Sequence, residues 1–364
     1  MRRVASITLG LCALVTAFTA QAQPRRAQRP GCALASNTLA LAEGDAVDPS
    51  TAPWVVFTAG GAVVAWRERS GSLRVRAFDA QWRPLGAARE VGRPSSAFAV
   101  TATPTGAAIA YVEDGHDVML ARVNGRAEAQ NVPRRVARED AVVESLALAS
   151  TESGFAVVWS AAAGRTLRGA ALDLRGVSHA PATDLGEGRA PRLAWLPSLA
   201  ALALTVEGVE ADSDASLLGL SPTLQVNSRL RWPVATLGPI DLEGALHGVQ
   251  IHGTGTPVLV RVPPGGAALG AASDATARGR YGLLDAAVDG VSAFVLIDDL
   301  ANGRLIVART SPDGSLAAPT AVRTGSPVPA RLSTRAEGAV VVVRREPAAH
   351  GASRVVVTQV TCAQ

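Results

Sequence analysis

Glu113, Asp114, His116 and Asp117 bring three carboxylates and an imidazole into one short segment. Such a set can ligate a cation, or divide the roles of general acid and general base. The same residue types also build an ordinary solvated reversal between two strands, which is the simpler reading. Glu207, Glu210, Asp212 and Asp214 form the most acidic stretch and are a weak calcium candidate, because the glycine and terminal glutamate of an EF-hand loop are missing. Asp298 and Asp299 stand just before Asn302-Gly303 and combine a possible binding pair with turn chemistry. His247 and His252 point to opposite faces of an extended strand, which argues against a shared metal ion. Of the six tryptophans, Trp66 and Trp159 read as core, while Trp82, Trp195 and Trp232 are less constrained and could stack on a glycan.

Motifs that would specify a reaction are missing. The chain has no Gly-x-Ser-x-Gly elbow, His-Glu-x-x-His, Cys-x-x-Cys or complete Gly-x-Gly-x-x-Gly. All 35 basic residues are arginine, so no Schiff-base lysine, P-loop lysine or Ser-Lys dyad exists. Ser311-Pro312-Asp313-Gly314 reads as a type I turn, since its spacing is not that of a sialidase Asp-box. No catalytic residue is assigned and no cofactor is called for.

The elements that would position these residues repeat along the chain. A glycine followed by an apolar run recurs at Gly61 to Trp66, Gly106 to Tyr111, Gly154 to Trp159, Gly290 to Val295 and Gly338 to Val343. A second apolar strand follows each run, then an Asp, Asn or Gly turn, as at Asp79, Asn124-Gly125 and Asp173. Another short strand precedes each glycine, as at Trp54 to Thr58 and Phe98 to Ala102. Two less regular units, built on Arg192 to Val206 and on Gly248 to Val262, fill the wide gap. The runs are short, rich in valine and broken by Gly and Pro, so helix is excluded. Four antiparallel strands every 40 to 50 residues, seven times over, predict an all-β seven-bladed propeller.

The last unit runs out of chain after Val355 to Val360, and Thr38 to Ala42 is an orphan strand before the first unit. The N-terminal strand is therefore expected to complete the last blade and close the ring. Antiparallel pairing there brings Cys32 and Cys362 to one end, and a disulfide is expected between them.

These units resemble those of exported bacterial β-propeller repeat proteins of the WD40-like and TolB-like kind. Gly154 to Trp159 with Leu172-Asp173-Leu174-Arg175-Gly176 carries the likeness best. The resemblance implies a fold and an exported location, and no reaction.

Arg2 and Arg3, the apolar run from Val4 to about Thr19 and Ala20-Gln21-Ala22 have the anatomy of a signal peptide over residues 1–22. Residues 23–31 read as a basic flexible linker and 32–364 as one propeller domain. Losing Arg2 and Arg3 halves the formal net charge of +4, leaving no reason to invoke nucleic acid. A monomer without a membrane span, periplasmic or extracellular, is expected. Variable loops after the second strand of each unit share a face with the loops that enter the first strand. Binding of a protein or extracellular polymer, such as a polysaccharide, is expected on that face. The alternative is a hydrolase or lyase with several carboxylates, calcium-assisted or not, at the channel mouth.

Overall fold

The computed structural model describes residues 32–362 except 45–46, 49, 211–214, 234–235, 253–255, 263–279, 291, 311–318, 326–327, 336–338 and 349–351. The strands form seven antiparallel sheets. β1 (Cys32–Gly44) precedes the first blade, which holds β2 (Trp54–Thr58), β3 (Gly61–Arg67), β4 (Leu73–Phe78) and β5 (Arg89–Gly92). The second holds β6 (Phe98–Thr103), β7 (Gly106–Glu113), β8 (Asp117–Asn124) and β9 (Arg134–Arg138). The third holds β10 (Val143–Ser150), β11 (Gly154–Ala161), β12 (Thr166–Asp173) and β13 (Thr183–Gly186). The fourth holds β14 (Arg189–Leu196), β15 (Ala201–Glu207), β16 (Ala215–Leu220) and β17 (Val226–Trp232).

The fifth blade departs from the expectation. β18 (Leu237–Leu242), β19 (Ala245–His252) and β20 (Thr256–Arg261) form a sheet with three strands among the described residues. The segments read from sequence as its first two strands are its second and third. Its true first strand is interrupted by Gly238-Pro239, where the pairing skips from Leu237/Val249 to Ile240/His247. The sixth blade holds β21 (Tyr281–Val288), β22 (Ala293–Asp299), β23 (Arg304–Thr310) and β24 (Thr320–Thr324). The seventh holds β25 (Ala330–Arg335), β26 (Ala339–Pro347) and β27 (Ser353–Cys362), and β1 pairs with β27 as its outer strand. The register sets Cys32 opposite Cys362 and Thr38 opposite Thr358.

The second strands explain the near-continuous apolar runs. Each is sandwiched between two neighbouring blades, so both of its faces are dry. Phe155, Val157 and Trp159 of β11 pack toward Val112 and Val118 of the second blade, while Ala156 and Val158 pack toward Leu202 and Leu204 of the fourth. First strands form a ring in which β2, β6, β10, β14, β18, β21 and β25 each touch the next and β25 returns to β2.

The recurrent glycines have a steric cause. A Cβ on Gly61, Gly106 or Gly154 would lie 2.0, 2.1 or 1.9 Å from the carbonyl oxygen of Phe78, Val123 or Leu172, because the end of the third strand crosses close above it. Gly290 differs: it sits in the turn before β22 at φ 100°, and Ala293 opens the strand.

Those third strands end in one repeated loop. Asp79, Asn124 and Asp173 each accept two backbone N–H groups from the residues two and four positions on. The residue three positions on is left-handed, and it is Trp82, Ala127, Gly176 and, after Ser221, Leu224. Sequence reasoning looks for glycine at such a position, yet Trp82, Ala127 and Leu224 are buried side chains. Trp82 packs against Phe57 and Phe78, which corrects its reading as a less constrained residue.

Candidate functional site

Start-to-end pairing fixes which loops share a face. Trp54 opposes Ala65, Phe98 opposes Tyr111 and Ala330 opposes Arg344, so each first strand begins where the second ends. The loops following the second strands therefore surround the entry to the ring.

The Glu113 to Asp117 segment is a tight hairpin on this face. Asp114 at φ 51° and Gly115 at φ 78° supply two left-handed positions of the three-residue loop between the paired Glu113 and Asp117, and the His116 amide donates to the Glu113 carbonyl at 3.1 Å. His116 Nδ1 lies 3.1 Å from the Glu139 carbonyl oxygen. Asp117 accepts from Arg138 at 2.9 Å and lies 3.7 Å from Arg135. Glu139 itself is buried, taking Trp159 Nε1–H at 2.9 Å and Arg168 at 3.0 Å, so it ties the second blade to the third. Trp159→Phe removes one of these charge-assisted donors and is expected to cost about 2 kcal/mol of stability, read as a lower denaturation midpoint.

Asp299 is almost fully buried and paired with Arg304 at 2.7 Å, with both oxygens also taken by the Asn302 amide. Burial alone would raise its pKa, but the Arg304 and Asn302 hydrogen bonds outweigh that and hold it below the usual carboxylate range. Asp298, on the opposite face of the strand, is pushed up by burial and by neighbouring Asp299, against a partial pull from Arg323. For a carboxyl raised in the folded state, the cost of ionisation is present above the folded pKa and vanishes as pH falls. Asp298→Asn is therefore expected to raise the melting temperature slightly at pH 7, with the gain shrinking toward pH 4.

Glu207 ends β15 and is exposed. Asp212 and Asp214 lie outside the described residues, as does the Ser311 to Gly314 segment. His247 is buried with Nδ1 2.9 Å from the Ala245 carbonyl oxygen. The side chain of His252 falls outside the described set. Among the described residues no group of three or more His, Cys, Asp or Glu side chains is gathered for a metal ion.

The ring encloses an axial cavity of about 550 Å³ lined by all seven first strands, mainly by their opening residues. None of the acids singled out from sequence lines it. Its charged residues are Arg192, Asp285 and Arg331. Arg331 lies 4.2 Å over the Trp54 ring and 4.0 Å from Asp285 Oδ1. Asp285 also accepts the backbone amides of Leu332 at 2.9 Å and Ala286 at 3.1 Å. Arg192 is open to the cavity yet walled by protein, and desolvation lowers its pKa. Attraction to Asp285 and Glu207 works against that shift, while Arg331 adds to it. Sequence reasoning places Arg192 and Arg331 only as strand openings. They are 139 positions apart in the chain, so no local motif marks them.

No protein-family model matches the chain, and no curated protein matches it. Solved structures do. The Dos1 propeller is similar at TM-score 0.51 and 10% identity, over 90% of this chain and 95% of that one. The Cps50 (Swd1) β-propeller domain of Myceliophteria thermophila is similar at 0.54 and 13%, over 86% and 99%. BBS1N, solved in complex with ARL6DN, is similar at 0.50 and 12%, over 88% and 96%. At these identities the likeness is one of fold.

No described helix is long and apolar enough to cross a membrane.

Proposed function

We propose that this chain is an exported, non-catalytic propeller that binds a protein or an extracellular polymer through the face carrying the loops after its second strands. One observation carries the reading: the two ends of the ring are built differently. At one end the third strands of the first four blades close with the same five-residue loop, held by Asp79, Asn124, Asp173 or Ser221. At the other end the loops range from the tight Asp114-Gly115 reversal to the acidic segment after Glu207, and the axial cavity lies there. A rigid scaffold carrying loops that vary on one face is how loop-borne recognition is arranged. Similarity to BBS1N, solved with ARL6DN, accords with a binding scaffold.

Export belongs to the same proposal, with residues 1–22 removed, the product periplasmic or extracellular, and Cys32 joined to Cys362 across the register that opposes them. The test is capture of the partner from native extracellular material by the mature chain, compared with a variant carrying Glu113→Gln, Asp114→Asn, Glu207→Gln and Glu210→Gln. The partner is expected to be lost by the variant. Undiminished capture would overturn the choice of face, and turnover of a glycan or peptide by the wild-type chain would overturn the non-catalytic reading.

A further inference from the structure

We infer that the axial cavity binds a small organic carboxylate, anchored by Arg192 with its apolar body against the alanine- and leucine-rich wall. This site is separate from the loop-face binding proposed above and stands without it.

The wall is chemically lopsided. Ala147, Leu148, Pro191, Ala194 and Leu237 give it an apolar lining, and its charged residues are two arginines and one aspartate. Asp285 is committed: its oxygens hold the Leu332 and Ala286 amides and face Arg331. Arg331 lies over the face of Trp54 and 4.0 Å from Asp285, and its buried Nε has no hydrogen-bond partner, so it adds a second cationic group to the wall. The Arg192 side chain, exposed where it opens on the cavity, makes no hydrogen bond or ion pair with the protein among the described residues. A carboxylate entering the cavity would meet this open guanidinium fork with two parallel hydrogen bonds. Burial lowers the Arg192 pKa, the direction that a bound anion would reverse.

Two further features favour an organic anion. The first strands are sheet edges, so their channel-side N–H and C=O groups lack ladder partners and can meet polar atoms of a ligand. The volume of about 550 Å³ falls in the range of small-molecule sites and exceeds what a bare inorganic anion fills.

The test uses the mature chain with 4-fluorobenzoate as probe, followed by fluorine NMR, and 4-fluorobenzamide as its neutral counterpart. Saturable binding of the carboxylate is expected, with the amide at least tenfold weaker. Arg192→Gln is expected to melt like wild type, because the side chain holds nothing in the protein, and to weaken fluorobenzoate binding at least tenfold. Ala194→Leu, which fills the cavity without touching the charge, should weaken it too and serves if Arg192→Gln does not fold. Equal binding of acid and amide, unchanged binding in either folded variant, or no binding by wild type would overturn the inference. So would sulfate competing as strongly as the organic acid, which would mark a bare anion site.

Discussion

Arg344→Ala is expected to lower the free energy of unfolding by about 3 to 5 kcal/mol, because it strands a partly buried carboxylate. Arg344 is 2% exposed, donates to Thr358 Oγ1 at 2.6 Å and grips Glu346 Oε1 through Nε at 2.9 Å and Nη2 at 2.6 Å. Arg354 holds the other Glu346 oxygen at 3.1 Å, and the Thr358 hydroxyl lies 3.1 Å from that of Thr38 on β1. The network thus spans β26, β27 and the N-terminal strand, the junction where the ring is sealed. Burial pushes the Glu346 pKa up, but Arg344 and Arg354 hold it below its ordinary 4.5. A lowered carboxyl contributes stability that is complete above its unfolded pKa and lost as pH falls through the folded one. The loss caused by Glu346→Gln should therefore be largest near neutral pH and shrink in acid. Replacing both partners, as Arg344→Met with Glu346→Gln, should recover part of the deficit, since no unpaired charge remains. Urea denaturation of the single and double variants reads all of this, and a single-variant loss under about 1 kcal/mol would refute it.

Gly154→Ala is expected to cost about 3 kcal/mol or more. The added methyl would sit 1.9 Å from the Leu172 carbonyl oxygen and 2.7 Å from the Asp173 carbonyl carbon. Both contacts are backbone, so relief requires the β11–β12 ladder to open where Asp173 organises its loop. Gly60→Ala is the control, because a Cβ there meets nothing within 4 Å. Its denaturation midpoint should stay close to wild type while that of Gly154→Ala falls, and equal midpoints would contradict the steric account.

The parts of the fold legible from sequence are those with local causes. Second strands buried on both faces write themselves as apolar runs, and the crossing of the third strand forces glycine at Gly61, Gly106 and Gly154. Ring closure was legible because the last unit lacks an outer strand while an orphan strand stands at the other end. Where the local cause differs, the reading slips. Pro239 interrupts β18 and hid the first strand of the fifth blade. Trp82 and Leu224 take left-handed positions where only glycine is sought, their burial outweighing the backbone cost.

The candidate site was less legible still. The acids that attract attention in the sequence are already bound to arginines, Asp117 to Arg138 on the adjacent β9 and Asp299 to Arg304 across its own hairpin. Arg192, Asp285 and Arg331 carry no shared spacing, because separate blades deliver them to one axis. Only closure of the ring makes them neighbours.

Closure of that ring by the two ends of the chain is the central claim, and peptide mapping without reduction tests it most directly. Protein recovered from an oxidising compartment, alkylated before unfolding and digested with trypsin, should yield the peptide that begins at Val355 covalently joined to the one containing Cys32. Recovery of Cys32 and Cys362 on separate alkylated peptides in folded protein would contradict the account.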